Sequence, residues 1–159
     1  MTDLTTRVSE ADTLIHLVPP IVQREDPLPN IILSAASDPA ARAAFVVDGD
    51  GRLVGVAPVS ELDRDMLVLL VPGAFAGDRM SGRQLARLSH GTDVTAGQLM
   101  REPATVGLTD TLATALKRME EHGLESAAIL DDGGRPLGYV TMFEILAEVL
   151  IGPGATVPN

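Results

Sequence analysis

The order of parts in Leu130 to Leu150, LDDGGRPLGYVTMFEILAEVL, occurs once before in the chain, at Val47 to Leu67, VDGDGRLVGVAPVSELDRDML. Each copy reads as the end of a strand, an acidic-glycine turn, a second short strand and an amphipathic helix. A duplicated unit constrains a fold more than any single pattern. Here each half is too small to bury its sheet face alone, so the halves must pack on one another.

The register extends upstream. His16-Leu17-Val18-Pro19 falls on Met100-Arg101-Glu102-Pro103, Asp26 on Asp110, and Leu28, Ile31 and Ile32 on Leu112, Ala115 and Leu116. After a one-residue slip in a loop, Gly51, Gly55, Glu61 and Leu62 match Gly134, Gly138, Glu144 and Ile145. The match is a true internal repeat of about sixty residues. The expected division is a first repeat at 8–72, a connector with a short helix at 73–93, a second repeat at 94–151, and a tail without regular structure at 152–159.

Local patterns supply the elements. Ala11, Leu14, Ile15 and Val18 have helical spacing, which predicts a helix over Val8 to Leu17 before Pro19-Pro20 stops it. A short strand at Ile21-Val22 follows, then a helix with Asp26 as N-cap and Pro27 in the first turn, burying Leu28, Ile31, Ile32 and Ala35. Ala43 to Val47 and Leu53 to Ala57 form a hairpin across Asp48-Gly49-Asp50-Gly51, and a helix from about Ser60 to Val71 closes the half. In the connector, Ser81 and Gln84 have capping-box spacing and His90-Gly91 ends that helix. The second half repeats the order: Thr109 or Asp110 caps a helix ending at His122-Gly123, strands follow at Leu124 to Leu130 and Pro136 to Val140, and a helix starts after Thr141.

Composition removes several function classes. With no Cys there is no disulfide framework, thiolate metal site or cysteine nucleophile. A net charge of -10 opposes nucleic acid and anionic lipid, and one Tyr, three Phe and no Trp leave no base-stacking platform. The first twelve residues carry neither the apolar core nor the basic flank of a secretory signal. The longest apolar run, Met66 to Ala76, falls far short of the ~20 residues of a membrane span. The expectation is a cytoplasmic protein without nucleic-acid or membrane partners. His16, His90 and His122 are scattered, each explained as a packing or helix-end residue, and no hydrolase, phosphate-loop or zinc-protease motif occurs, so the expectation is a non-enzyme. The acidic turns hold two side chains each without the later Glu of a calcium loop, so turn chemistry accounts for them and no metal site is assigned.

In order, these motifs resemble a tandem pair of CBS domains, a Bateman module. The residues that carry the resemblance are "LM, P-x-x-V, D-x-L-x-x-A-L-x-x-M" from Leu99 to Met119, the apolar strand and Asp-rich glycine turn from Ala127 to Gly134, and "G-x-V-T-x-x-E-I" from Gly138 to Ile145. It covers about Glu10 to Ile151. The resemblance implies an α/β (α+β) fold of two β-α-β-β-α repeats packed pseudo-symmetrically through their sheets, with two clefts between them. It also implies homodimers formed through helices, and a regulatory role in which AMP, ADP, ATP or S-adenosylmethionine binds in a cleft and an unidentified partner protein is regulated.

Carried over residue by residue, the resemblance places Thr141 and Glu144 where the family has its Thr or Ser and its ribose-binding Asp. Thr105, Ser126 and Ala127 stand on the cleft-lining segments. Glu for Asp moves the carboxylate outward by more than ~1 Å. Thr141-Met142-Phe143-Glu144 is equally a capping box, in which hydroxyl and carboxylate satisfy the helix's own first N–H groups. A weaker second site falls on Ile21 and Glu61, where Pro58 replaces the hydroxyl residue and offers no donor, and Ser60 is the expected helix cap. Three readings therefore stand: an adenine-nucleotide or adenosyl sensor, a structural or dimerisation module with degenerate clefts, and a Mg²⁺-responsive regulator.

Overall fold

The structure, a computed structural model, describes residues 2–62 and 93–152. Two three-stranded sheets stand side by side in it, and they are built to one plan. Strand β1 (Ile21–Gln23) runs parallel to β2 (Ala43–Val47), which pairs antiparallel with β3 (Leu53–Pro58); β4 (Thr105–Val106), β5 (Ser126–Leu130) and β6 (Pro136–Thr141) repeat this order. The ladders match pair by pair. Ala43 opposite Pro58 becomes Ser126 opposite Thr141, Phe45 opposite Val56 becomes Ala128 opposite Tyr139, and the register shift at Val46/Val47 recurs at Ile129/Leu130.

The hairpin turns are alike for a physical reason. The Asp48 carboxylate accepts from the N–H groups of Asp50 and Arg52, that of Asp131 from Gly133 and Arg135, and Gly51 and Gly134 supply the left-handed backbone at φ 79° and 81°. The Arg52 N–H is the chief cause that holds the Asp48 carboxyl below its ordinary range. Across the module the two turns touch: the Leu53 N–H donates to the Gly134 carbonyl at 2.9 Å, and Arg135 Nε to the Asp50 carbonyl at 2.9 Å.

Strand alternation gives each sheet two faces. Ala44, Val46 and Ala57 face Leu28, Ile31 and Ala35 of α1 (Leu28–Ser37) in one buried cluster. The other face meets the second sheet: Phe45 packs on Tyr139 with ring centroids 5.7 Å apart, in a cluster that holds Ala43, Val56, Ala128 and Ile145. The Tyr139 hydroxyl donates to Asp38 Oδ2 at 2.6 Å, and burial followed by this hydrogen bond pushes the phenol pKa up. Leu112, Ala115 and Met119 of α3 (Leu112–His122) are fully buried against the second sheet, as their spacing predicts.

The segment ahead of each repeat serves the other repeat. Val8 N–H donates to the Asp110 carbonyl and Leu112 N–H to that of Thr6; correspondingly Ala96 N–H, in the short α2 (Ala96–Leu99), donates to Asp26 and Leu28 N–H to Val94. His16 then bridges to Tyr139 on the free edge of β6, and Arg101 to Val56 on the free edge of β3. This exchange corrects the expected helix over Val8 to Leu17. The segment forms two 3-10 turns, Val8–Glu10 and Asp12–Leu14, because its N–H groups are committed to the 108–110 loop and to Tyr139. Ala11 and Leu14 are buried as expected, whereas Val18 is exposed.

The helix caps shift too. Pro27 occupies the N-cap of α1, while the Asp26 carboxylate turns back to the Gln23 N–H. Thr111, not Thr109 or Asp110, caps α3, accepting from the Thr114 N–H; Asp110 instead accepts from Gly107 and pairs with Arg118. Gly123 ends that helix in the left-handed conformation at φ 64°. After Pro58 the chain is helical at 59–62, so Ser60 lies inside the first turn and does not cap it. The rest of the expected Ser60 to Val71 helix, the connector up to residue 92 with its Ser81–Gln84 box and His90-Gly91 end, and the tail from 153 lie outside the described residues.

Candidate functional site

Helix α4 (Met142–Ile151) starts where β6 ends, so Thr141 is both the last strand residue and the N-cap. Its hydroxyl accepts from the Glu144 N–H at 3.4 Å and donates to Glu144 Oε1 at 2.8 Å. Half of the capping-box expectation is met. The other half is not: the Glu144 carboxylate does not return to the cap backbone, which is still extended strand, but lies 2.8 and 3.0 Å from His16 Nε2. The His16 ring stacks on Tyr139 at 4.6 Å and 8°.

Ser126 stands opposite Thr141, and both are nearly buried, at 5% and 6% exposure. Since Tyr139 meets Phe45 of the first sheet, alternation turns Thr141 and Ser126 toward the first repeat as well. The Ser126 hydroxyl has no hydrogen-bonding partner among the described residues, an uncommon state for a buried polar group. Thr105 opens β4 opposite Ala128, half-buried, and its carbonyl accepts from Arg118 Nη1 at 2.6 Å. Ala127 faces the other way, paired with Val140 and fully buried, so only its backbone borders this side of the sheet.

The matching positions of the first repeat are stripped of polar groups. Ile21, Ala43 and Pro58 stand in its ladder where Thr105, Ser126 and Thr141 stand in the second. Its acidic residue remains: Glu61 Oε1 is 3.0 Å from Arg101 Nη1, and Arg101 Nη2 donates to the His122 carbonyl at 2.6 Å. Each repeat's glutamate is thus held by a nitrogen-bearing side chain, His16 or Arg101, from the segment ahead of the other. Ordinary sequence reading placed neither His16 nor Arg101 in a site. The repeat register set His16 against Met100, whereas the bridges to Tyr139 and Val56 make His16 the counterpart of Arg101. A basic residue two or three positions ahead of a proline in both copies, His16 before Pro19 and Arg101 before Pro103, was the available signal.

Two cavities lie elsewhere. One of about 270 Å³ is lined by Ile32, Ala35, Pro39, Arg42 and Val59, and one of about 310 Å³ by Gly107, Thr109, Asp131, Asp132 and Leu137. No candidate site residue lines either. Among the described residues no group of three or more His, Asp or Glu is placed to hold a metal ion, and no helix is long and apolar enough to cross a membrane.

Comparison with known proteins agrees with this architecture. The family model for the CBS domain matches residues 96–151. A search of curated proteins finds no match. Among solved structures, a CBS domain-containing protein from Thermotoga maritima is similar at TM-score 0.70 and 24% identity, over 96% of this chain and 100% of that one. The CBS domain of a bacterial CNNM/CorC family Mg²⁺ transporter is similar at TM-score 0.62 and 18% identity, over 98% and 80%. CBSX2, solved in complex with AMP, is similar at TM-score 0.58 and 16% identity, over 88% and 92%.

Proposed function

Since the chain is a tandem pair of CBS domains by fold, with its second repeat matched by the family's own model, we propose that it is a regulatory module binding one adenosine-containing ligand in the cleft of the second repeat. The observation that carries this reading is the buried Ser126 hydroxyl, without a partner among the described residues, beside Thr141 at the N-terminus of α4 and one turn from the Glu144 carboxylate. Hydroxyls and helix N–H groups suit a phosphate, and a carboxylate suits a ribose diol. Among solved relatives of this fold, CBSX2 holds AMP, which supports the ligand class. Ligand in the cleft biases the packing of the halves, or of two chains, only through different affinity for the two arrangements. Exposed Phe143, Leu150 and Ile151 on α4 make that helix the proposed face for a homodimer.

A second reading has its own observation. Both glutamates are already paired across the repeats, which suits a structural or dimerisation module whose clefts are closed. Thermal unfolding with AMP, ADP, ATP and S-adenosylmethionine separates the two. A ligand of the native state adds about 2.7 kcal/mol at a hundredfold excess over its dissociation constant. No shift with any of the four rejects the sensor and leaves the structural module; a rise with Mg²⁺ alone favours a cation-responsive regulator.

A further inference from the structure

The two crossed contacts are not equivalent. Arg101 is fixed at two points, to Glu61 and to the His122 carbonyl, and its guanidinium carries a permanent charge. Among the described residues His16 has one polar partner for its ring, Glu144, and otherwise lies flat on Tyr139 with 31% of its side chain exposed. Its backbone is anchored, since the N–H and C=O of His16 both bond to Tyr139, at 3.0 and 2.9 Å. The ring can therefore leave Glu144 by side-chain rotation alone, without unpairing a strand. Arg101 swinging clear of its cleft would give up both contacts, the carboxylate of Glu61 and the carbonyl of His122.

We propose that His16 is an intramolecular competitor for Glu144: a latch that closes the polar cleft until ligand displaces the imidazole, while Arg101 keeps the first-repeat cleft closed. The inference rests on the reading of Glu144 as a ribose-binding carboxylate. A site whose key acceptor is occupied in the resting protein binds with an apparent affinity reduced by the fraction that is open. His16 thus sets the ligand concentration at which the module responds, and the chain takes up one ligand rather than two.

Calorimetric titration with AMP tests the latch on the wild type, His16→Ala and His16→Gln. Removing the competitor tightens AMP about three- to tenfold in His16→Ala, and His16→Gln, which retains an N–H donor, falls between. An affinity unchanged or weakened in His16→Ala overturns the latch while the nucleotide reading stands. A ligand-free double-mutant cycle on His16→Ala and Glu144→Gln supplies an independent readout. Coupling of about threefold in the unfolding constant is expected, and additive effects overturn the latch whether or not AMP binds. If neither the wild type nor His16→Ala binds AMP while the coupling is present, the nucleotide reading falls and the His16–Glu144 tie survives only as an architectural contact, which also overturns its role as a latch.

Discussion

Gly138→Ala probes the exchanged segment at its closest approach. A Cβ built on Gly138 meets the His16 carbonyl oxygen, a backbone atom that cannot move without carrying the bridge to Tyr139 with it. Relief of the clash costs the two His16–Tyr139 backbone hydrogen bonds, about 1 kcal/mol each, and loosens the half-exposed His16–Glu144 pair, worth about 0.5 kcal/mol. Alanine returns about 0.5 kcal/mol by restricting the unfolded chain. The net loss is about 2 kcal/mol, or roughly 4–8 °C in Tm for a chain of this size. Gly49→Ala is the control, because its Cβ meets nothing within 4 Å. Urea denaturation of both variants alongside the wild type measures the difference. A Gly138→Ala loss no larger than that of Gly49→Ala refutes the packing of the 16 segment against β6.

Other substitutions test separate parts of the account. Tyr139→Phe removes the hydrogen bond to Asp38 and should cost about 1–2 kcal/mol in chemical denaturation at neutral pH. Because the folded phenol pKa is raised above its ordinary value of 10.0, wild-type stability is present below about pH 10 and declines as pH rises beyond it; a denaturation series in pH should find that part of the decline missing in Tyr139→Phe. Ser126→Ala deletes a buried hydroxyl that has no partner among the described residues, so stability should stay within about 0.5 kcal/mol of wild type or rise while AMP affinity falls. Phe143→Asp with Leu150→Asp places two charges on the exposed face of α4 and should convert a dimer to a monomer in sedimentation, whereas an unchanged oligomer removes that face from the interface.

The duplication was legible because it is written in features that depend on local physics. Acidic turn residues, glycines with positive φ and apolar helix spacing recur in both copies, and each leads directly to a turn, a hairpin or a buried helix face. The segment from Val8 to Leu17 was misread because its apolar spacing is compatible with a helix, while its conformation is decided by hydrogen bonds to residues about a hundred positions away. Caps shifted for a related reason: Asp26 and Asp110 each accept from an N–H three residues earlier, that of Gln23 or Gly107, leaving Pro27 and Thr111 at the helix starts.

Within the candidate site, Thr141 and Glu144 were visible as a spacing, but the partner of Glu144 was not. His16 lies 128 positions away and reaches Glu144 only because the chain ahead of one repeat crosses to the other. The loss of polarity in the first repeat was half visible. Pro58 shows in the sequence, whereas the correspondence of Ala43 with Ser126 emerges from the strand register.

The central claim is that ligand binds at the polar cleft of the second repeat alone. Backbone amide shifts followed by NMR during an AMP titration test it directly. The account predicts saturable shifts at Ser126, Thr141 and Glu144 with Ala43 and Glu61 unmoved; shifts centred on Ala43 and Glu61, or none at saturating AMP, contradict it.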